Sequence, residues 1–295
     1  MKNTKPKVRL WSVLTGLTAI LTVAAIVGNI IANQYATTIN VALNASTYKI
    51  IHGENTGDTE YFKKGFASDE EREAYEAELC ATVEAEGAAL LKNENNALPL
   101  ASGAKVSLFG HGSVDLMYGG TGSGSVDTSK APNLKQALEA QGITINQTLW
   151  DLYSSDSMMS KYSRMTPASI SDTLEANTQY AVNEAPWSAL SSAESSFAEY
   201  GDAAIVVLSR SGGEGADLPS GENGTSDNWI SGQEGDGNYL ALSAEEVELL
   251  QNLKALKDNG TFKKIVVLIN SSNAIELDFL NPEICGEDYG IDAAM

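Results

Sequence analysis

The sequence predicts an α/β fold, a three-layer sandwich with a mostly parallel sheet, preceded by an N-terminal transmembrane helix. Short segments such as 203–208 (AAIVVL) and 264–270 (KIVVLIN) are almost entirely apolar, as expected of strands that are buried on both faces. Amphipathic helical segments alternate with these strands, which is typical of helices packed on both sides of a parallel sheet. An uncharged stretch of the chain precedes all of them, from Leu10 to Asn33.

That uncharged stretch predicts a membrane anchor. At ~1.5 Å per residue it can cross the ~30 Å hydrocarbon core of a bilayer. The four basic residues before it are Lys2, Lys5, Lys7 and Arg9. They favour a cytoplasmic N-terminus, so we expect a single-pass protein of the cell membrane with its main domain extracellular. A cleaved signal peptide is the alternative, but the stretch is long for one and no typical cleavage site precedes Gln34.

Three segments follow from this pattern. Residues 1–33 form the basic flank and anchor, residues 34–67 a juxtamembrane linker with one short strand near 48–51, and residues 68–295 the sandwich domain. Ser68 and Glu71 form a capping-box pattern that predicts the first helix of the domain. Leu79 and Val83 are expected on the buried face of that helix.

The remaining elements alternate along the chain. Their predicted order is a strand at 105–109, a helix at 134–140, strands at 143–145 and 203–208 with a helix near 189–200 between them, a helix after Ser243, and a strand at 264–270. A second capping box, Ser243 with Glu246, opens the last helix, and Asn259-Gly260 closes it. Residues 150–198 are rich in serine and give the weakest pattern.

Composition limits the function classes. The formal net charge is -20, with 39 acidic and 19 basic residues, which disfavours nucleic acid as a partner because phosphate binding needs a basic surface. Cys80 and Cys285 have no metal-ligand spacing, and two free thiols are favoured over a disulfide. His52 and His111 are too far apart to form a metal cluster of their own, and we favour a structural or surface role for His111. We expect no metal and no cofactor.

A candidate catalytic loop follows the strand at 203–208. The loop holds the carboxylate of Glu214 between glycines, an arrangement that lets the backbone bend closely around a ligand. Asp217 is interpreted as a positioning or loop-structuring residue. Arg210 could pair with either acid, and a plain surface salt bridge is an equal alternative.

A second glycine-rich loop, 119–127 (GGTGSGSVD), follows the strand at 105–109. Its alternating Gly120, Gly122 and Gly124 do not give G-x-G-x-x-G, and no GK[ST] is present, which disfavours a phosphate site. A Rossmann-like nucleotide binder is therefore only a distant interpretation.

Five segments together resemble the sandwich domain of family 3 glycoside hydrolases, the β-glucosidase group. They are EGAALLKNENNALPL (86–100), VSLFG (106–110), GGTGSGSVD (119–127), AAIVVLSRSGGEGADLP (203–219) and the stretch from LSAEE to AIEL (242–277). The resemblance covers about residues 68–280 and implies that Glu214 is the catalytic acid/base. It also implies that Gly122, Ser123, Gly124 and Asp217 border the substrate.

The resemblance further implies hydrolysis of terminal β-O-glycosidic bonds with retention, with the nucleophilic aspartate on a separate barrel domain. The sandwich stands first here, as in the permuted branch of the family, so we expect a chain that stops before its catalytic barrel and is inactive alone. Its expected partners are a β-linked glucoside or oligosaccharide, the barrel and the lipid bilayer. The alternative is a non-catalytic, surface-anchored carbohydrate-binding or scaffold module.

Overall fold

The computed structural model describes residues 5–43, 65–120, 127–165, 180–213 and 239–295. The chain divides into two compact units, residues 1–77 and residues 78–295. The short strand expected near residues 48–51 lies outside the described residues.

The first unit contains a long helix, α1 (Lys5–Gln34), and a short one, α2 (Ala36–Ala42). Within α1, Val8–Gln34 is long and apolar enough to cross a membrane, which agrees with the predicted span, although a signal sequence has the same length and composition. The helix α2 occupies part of the predicted linker.

Helix α3 (Asp69–Gly87) begins where the sequence predicts. The Ser68 Oγ accepts a hydrogen bond from the Glu71 amide at 3.2 Å, while the Glu71 carboxylate accepts one from the Ala67 amide at 2.8 Å. The prediction that Leu79 and Val83 are buried is wrong, since they are 46% and 62% exposed. Helical periodicity identifies the apolar face of a helix but does not supply a partner for it.

The second unit contains a mixed, mostly parallel sheet of six strands among the described residues. The strands are β1 (Lys92–Asn93), β2 (Lys105–Phe109), β3 (Thr144–Ile145), β4 (Ala203–Arg210), β5 (Ile265–Ser271) and β6 (Ala293–Ala294). Their order in the sheet is β1-β6-β5-β4-β2-β3, and only the β1–β6 pair is antiparallel among these described strands. The central strand β4 is buried along its whole length, which confirms the α/β class.

The remaining described helices are α4 (Leu134–Ala140), α5 (Gln147–Tyr153), α6 (Asp156–Tyr162), α7 (Glu194–Phe197), α8 (Ala244–Asp258) and α9 (Pro282–Cys285). Helix α4 and strand β2 have the predicted bounds. Helix α5, which extends into the serine-rich stretch, and helix α6, which lies within it, were not predicted from the pattern. The helix expected near 189–200 is a 3₁₀ segment, Trp187–Ala193, that continues into α7.

Two hydrophobic clusters cover the two faces of the sheet. Alternate residues of β4 belong to them: Val206 and Leu208 pack in the larger cluster, and Ile205 packs in the smaller one. In the larger cluster the ring of Phe109 makes edge contacts with Phe197 and Phe262, at centroid distances of 5.2 and 5.7 Å. This packing fixes the strand ends from which the candidate site is built.

Candidate active site

The carboxyl ends of β2, β4 and β5 lie side by side, because β4 pairs in parallel with both neighbours. In open α/β sheets, ligands bind in the crevice outside the carboxyl ends of the strands. The predicted catalytic loop leaves the sheet from β4 and the second glycine-rich loop follows β2. The topology therefore directs both segments to one edge of the sheet.

Arg210, the last residue of β4, has a fully buried side chain. Its guanidinium forms a two-pronged ion pair with Glu246, with N–O distances of 2.8 and 2.7 Å. The other three N–H groups donate to the backbone carbonyls of Ser209, Tyr239 and Ala241. The surface salt bridge considered for Arg210 is therefore wrong, and its partner is the glutamate predicted to cap α8.

Glu246 has a second role at the start of α8. Its carboxylate accepts a hydrogen bond from the Ser243 amide at 2.8 Å, and the Ser243 hydroxyl accepts one from the Glu246 amide at 3.2 Å. This reciprocal pair is the predicted capping box. One buried carboxylate therefore joins the end of β4 to the beginning of α8.

The first residues after β4 are held by hydrogen bonds from two sides. The Ser211 amide donates to the hydroxyl of Tyr239 at 2.7 Å, and the Ser211 carbonyl accepts from the Asn273 amide group at 2.7 Å. The Gly212 carbonyl accepts from the hydroxyl of Ser272 at 3.0 Å. A Cβ at Gly212 would lie 2.1 Å from the Asn273 side chain, so this position accepts only glycine without rearrangement.

The two glycine-rich segments meet at this point. A Cβ at Gly120 would lie 2.9 Å from the Gly212 carbonyl oxygen and 3.5 Å from the Gly213 Cα. The segment before Gly120 is held by Asn270, at the end of β5, whose side chain exchanges two hydrogen bonds with the Met117 backbone, at 2.6 and 2.9 Å. Gly120, at the start of the 119–127 loop, is thus in contact with Gly212 and Gly213, which directly precede Glu214.

A shallow cavity of about 240 Å³ opens beside these glycines. Asp115, Tyr118, Gly120 and Arg164 are among its lining residues. The Arg164 guanidinium lies 3.1 Å from the Asp115 carboxylate, and its side chain is only 12% exposed. The cavity therefore combines a charged pair with exposed backbone and an aromatic ring.

Beneath the edge lies a buried acid, Glu184. Its two carboxylate oxygens accept hydrogen bonds from the amides of His111 and Ala185, at 2.8 and 2.9 Å. Burial raises the pKa of Glu184 to about 8, because the lost hydration outweighs these two bonds, which favour the ionised form. Burial also lowers the pKa of His111 to about 3, with a further contribution from the Arg164 charge. His111 is therefore a buried, structural histidine.

These two pKa values predict how stability depends on pH. Because folded Glu184 keeps its proton up to about pH 8, while an ordinary glutamate loses it near 4.5, its contribution to stability is complete below pH 4.5 and declines as pH rises to about 8. The lowered pKa of His111 has the opposite effect: its contribution to stability rises as the pH increases from about 3 to 6.5. The two slopes cancel between pH 4.5 and 6.5. Between pH 6.5 and about 8 the free energy of unfolding should therefore fall by ~1.4 kcal/mol per pH unit.

Urea unfolding of the wild type and Glu184→Gln at a series of pH values checks this prediction. The variant should lose the decline above pH 6.5, whereas the exposed control Glu194→Gln should keep it. An unchanged slope in Glu184→Gln would show that another group titrates.

The predicted site residues Glu214, Asp217, Gly122, Ser123 and Gly124 lie outside the described residues, so their roles stay predictions. Sequence reasoning did not identify Tyr239, Asn273 or Glu184 as parts of this edge. These residues carry no local signal, because their partners are distant in sequence: Glu184 and His111, for example, are 73 positions apart.

The chain is similar to known β-glucosidases. Residues 88–286 match the glycosyl hydrolase family 3 C-terminal domain. The β-glucosidase A of Butyrivibrio fibrisolvens is 34% identical over 146 residues, which are 48% of this chain and 15% of the relative. The β-glucosidase of Ruminococcus albus is 28% identical over 219 residues, which are 74% of this chain and 19% of that protein.

Solved structures show the same fold. A β-glucosidase from Paenibacillus barengoltzii matches with a TM-score of 0.52 and 25% identity, over 74% of this chain and 20% of that one. β-Glucosidase 3B from Thermotoga neapolitana, in complex with glucose, matches with a TM-score of 0.52 and 22% identity, over 76% and 27% of the two chains. The chain spans less than a fifth of the two curated relatives. With two thirds of its length matched, this chain belongs to glycosyl hydrolase family 3.

Proposed function

We propose that this chain is the sandwich domain of a glycoside hydrolase of the β-glucosidase type, which removes terminal β-O-linked sugars with retention. One observation carries the proposal: Gly212 and Gly213, directly before Glu214, contact Gly120 at the carboxyl edge of the sheet. The family resemblance assigns the segment that carries Glu214 and the 119–127 loop to the substrate cleft, and the first residues of both are in contact at this edge. The β-glucosidase names of the curated relatives support the same reaction class.

In this proposal Glu214 acts twice. It first protonates the glycosidic oxygen while a carboxylate attacks the anomeric carbon, so the bond to the leaving group breaks as a covalent glycosyl–enzyme bond forms. The ionised Glu214 then removes a proton from water, which attacks the same carbon and releases the sugar and the nucleophile. Retention requires the two carboxyl groups to be about 5–5.5 Å apart. We assign the nucleophile to the barrel domain of the parent enzyme.

The other assigned residues shape the sugar site. Asp217, Gly122, Ser123 and Gly124 are proposed to border the substrate on the sandwich side of the cleft. A general acid that acts near neutral pH needs a raised pKa, which an enclosed cleft or a neighbouring carboxylate supplies. The barrel would provide both to Glu214.

The 295-residue chain alone is therefore expected not to hydrolyse an aryl β-glucoside, because it contributes only one of the two carboxyl groups. A version extended through the barrel of the parent enzyme should hydrolyse it. Release of the aryl group is the measurement. Turnover by the 295-residue chain that Glu214→Gln abolishes would contradict this division of roles.

We also propose that α1 anchors the protein in the cell membrane, with the sandwich domain outside. The single helix of sufficient length and apolarity among the described residues supports this placement. Cys80 is exposed and lies beyond that helix. Because Cys285 is also a free thiol and is only partly buried, the test uses a Cys285→Ser background. A membrane-impermeant maleimide should label Cys80 of that variant on intact cells and should not label the protein once Cys80→Ser is added; labelling only after lysis would contradict the orientation.

A further inference from the structure

We propose that Tyr239 and Arg210 are positioning residues for the general-acid step, because they fix the point from which the segment carrying Glu214 leaves the sheet. Together with Ser211 and Glu246 they form a unit that we call the clasp. The inference rests on the proposed function, since it assigns the catalytic acid to Glu214.

The clasp joins two points that are distant in sequence. Residues 211–213 directly follow β4, and residues 239–241 directly precede the N-cap region of α8. The Tyr239 hydroxyl accepts a hydrogen bond from the Ser211 amide at 2.7 Å and donates one to the Ser211 carbonyl at 3.1 Å, across 28 residues of sequence. The side chain of Tyr239 is 1% exposed. One buried hydroxyl therefore fixes both backbone groups of the residue that starts the segment.

Arg210 strengthens the same connection. It donates hydrogen bonds to the carbonyls of Tyr239 and Ala241, which hold the segment 239–241, and to the carbonyl of Ser209 in β4. All five of its N–H donors are used. A buried ion pair is often no more stabilising than apolar residues of similar volume, so stability alone does not account for a guanidinium here. The planar fork of the guanidinium fixes the relative position of three parts of the chain, namely β4, the segment 239–241 and the start of α8.

Such a clasp matters for a general acid because proton transfer depends strongly on geometry. A misplacement of about 1 Å in a catalytic group can cost roughly 10²-fold in rate. Only Gly212 and Gly213 separate Ser211 from Glu214, so a shift at Ser211 is transmitted over a short distance. Tyr239→Phe keeps the ring and the net charge and removes only the hydroxyl.

The first test uses hydrogen exchange in the 295-residue chain. Tyr239→Phe should raise amide exchange at residues 211–213 by about tenfold, because the buried Ser211 amide loses its acceptor. Tyr153→Phe is the matched control: it removes a buried hydroxyl that accepts the Gly110 amide at 3.2 Å. It should raise exchange at Gly110 and leave residues 211–213 unchanged.

A second variant disrupts the clasp at a different residue, so that the result does not depend on Tyr239→Phe alone. Arg210→Met keeps a long side chain and removes the bonds to the Tyr239 and Ala241 carbonyls. It should also raise exchange at residues 211–213. Exchange there within about twofold of the wild type in both Tyr239→Phe and Arg210→Met would overturn the clasp.

The second test separates positioning from folding in the parent enzyme, with its barrel. A poor leaving group such as an alkoxide needs the proton that Glu214 donates, whereas dinitrophenolate leaves readily without it. Tyr239→Phe should lower kcat/KM for an alkyl β-glucoside about tenfold or more, and that for dinitrophenyl β-glucoside by less than about threefold. Equal losses for the two substrates would overturn the positioning role.

The two tests also separate this inference from the proposed function. If Glu214→Gln shows no selective loss for the poor leaving group, the proposed function and the catalytic role of the clasp fail together, while the exchange result still reports the clasp. If Glu214→Gln shows that loss and Tyr239→Phe does not, only the positioning role is wrong.

Discussion

Glu214→Gln in the parent enzyme is expected to slow hydrolysis of an alkyl β-glucoside by about 10²- to 10⁴-fold, the usual contribution of a general acid. Glutamine is nearly isosteric with glutamate but cannot donate a proton to the glycosidic oxygen or remove one from water. Steady-state measurement of kcat and kcat/KM with methyl β-glucoside gives the size of the loss.

Glu222→Gln is the matched control for this prediction. Glu222 lies eight residues farther along the same segment and has no role in the proposed mechanism. It should retain activity within about twofold of the wild type, so a general effect of neutralising a carboxylate is excluded. If both variants lost activity equally, Glu214 would have no special role.

The second large effect is expected on stability. Glu246→Ala should lower the free energy of unfolding by about 3–5 kcal/mol, because it leaves the fully buried charge of Arg210 without its carboxylate. It also removes one half of the capping box of α8, the bond from the Ser243 amide to the carboxylate, while the Ser243 hydroxyl can still accept from the backbone amide of residue 246. Urea unfolding monitored by circular dichroism measures the difference.

Two further variants isolate the ion pair from the cap. Glu246→Gln keeps a side chain that can complete the capping box and should therefore be less destabilising than Glu246→Ala. Arg210→Met combined with Glu246→Gln should recover part of the loss, since no buried charge then remains unpaired. A cost below about 1 kcal/mol for Glu246→Ala would contradict the buried pair.

Local patterns predicted the elements that form the centre of the fold. The apolar segments at 105–109 and 203–208 correspond to β2 and β4, and the predicted helix at 134–140 has the bounds of α4. These elements are recognisable because burial on both faces gives a short run of apolar residues, and helix capping places a characteristic side chain within a few residues of the helix start.

Elements that depend on tertiary contacts were not predictable in the same way. Strands β1 and β6 have two residues each and exist through pairing with each other and with β5. Helices α5 and α6 have seven residues each in a serine-rich stretch, where polar side chains both cap helices and interrupt the apolar pattern. Helix α3 shows the opposite case: its sequence has an apolar stripe, but Leu79 and Val83 in that stripe are exposed.

The candidate site shows the same division. Glycines around an acid after a buried strand indicated the position of the predicted loop, and the described edge places its first residues beside Gly120. The ion pair between Arg210 and Glu246 could not be predicted from the sequence. The two residues are 36 positions apart, and the capping box already gave a sufficient reason for a glutamate at position 246. Tyr239 likewise carries no local sign of its bonds to Ser211.

The measurement that tests the central claim most directly is the leaving-group dependence of Glu214→Gln in the parent enzyme. If Glu214 is the proton donor, the ratio of kcat/KM for dinitrophenyl β-glucoside to that for methyl β-glucoside should rise by about 10²-fold or more relative to the wild type. If both substrates slow by the same factor, the acid of this enzyme is another residue and Glu214 only supports the structure.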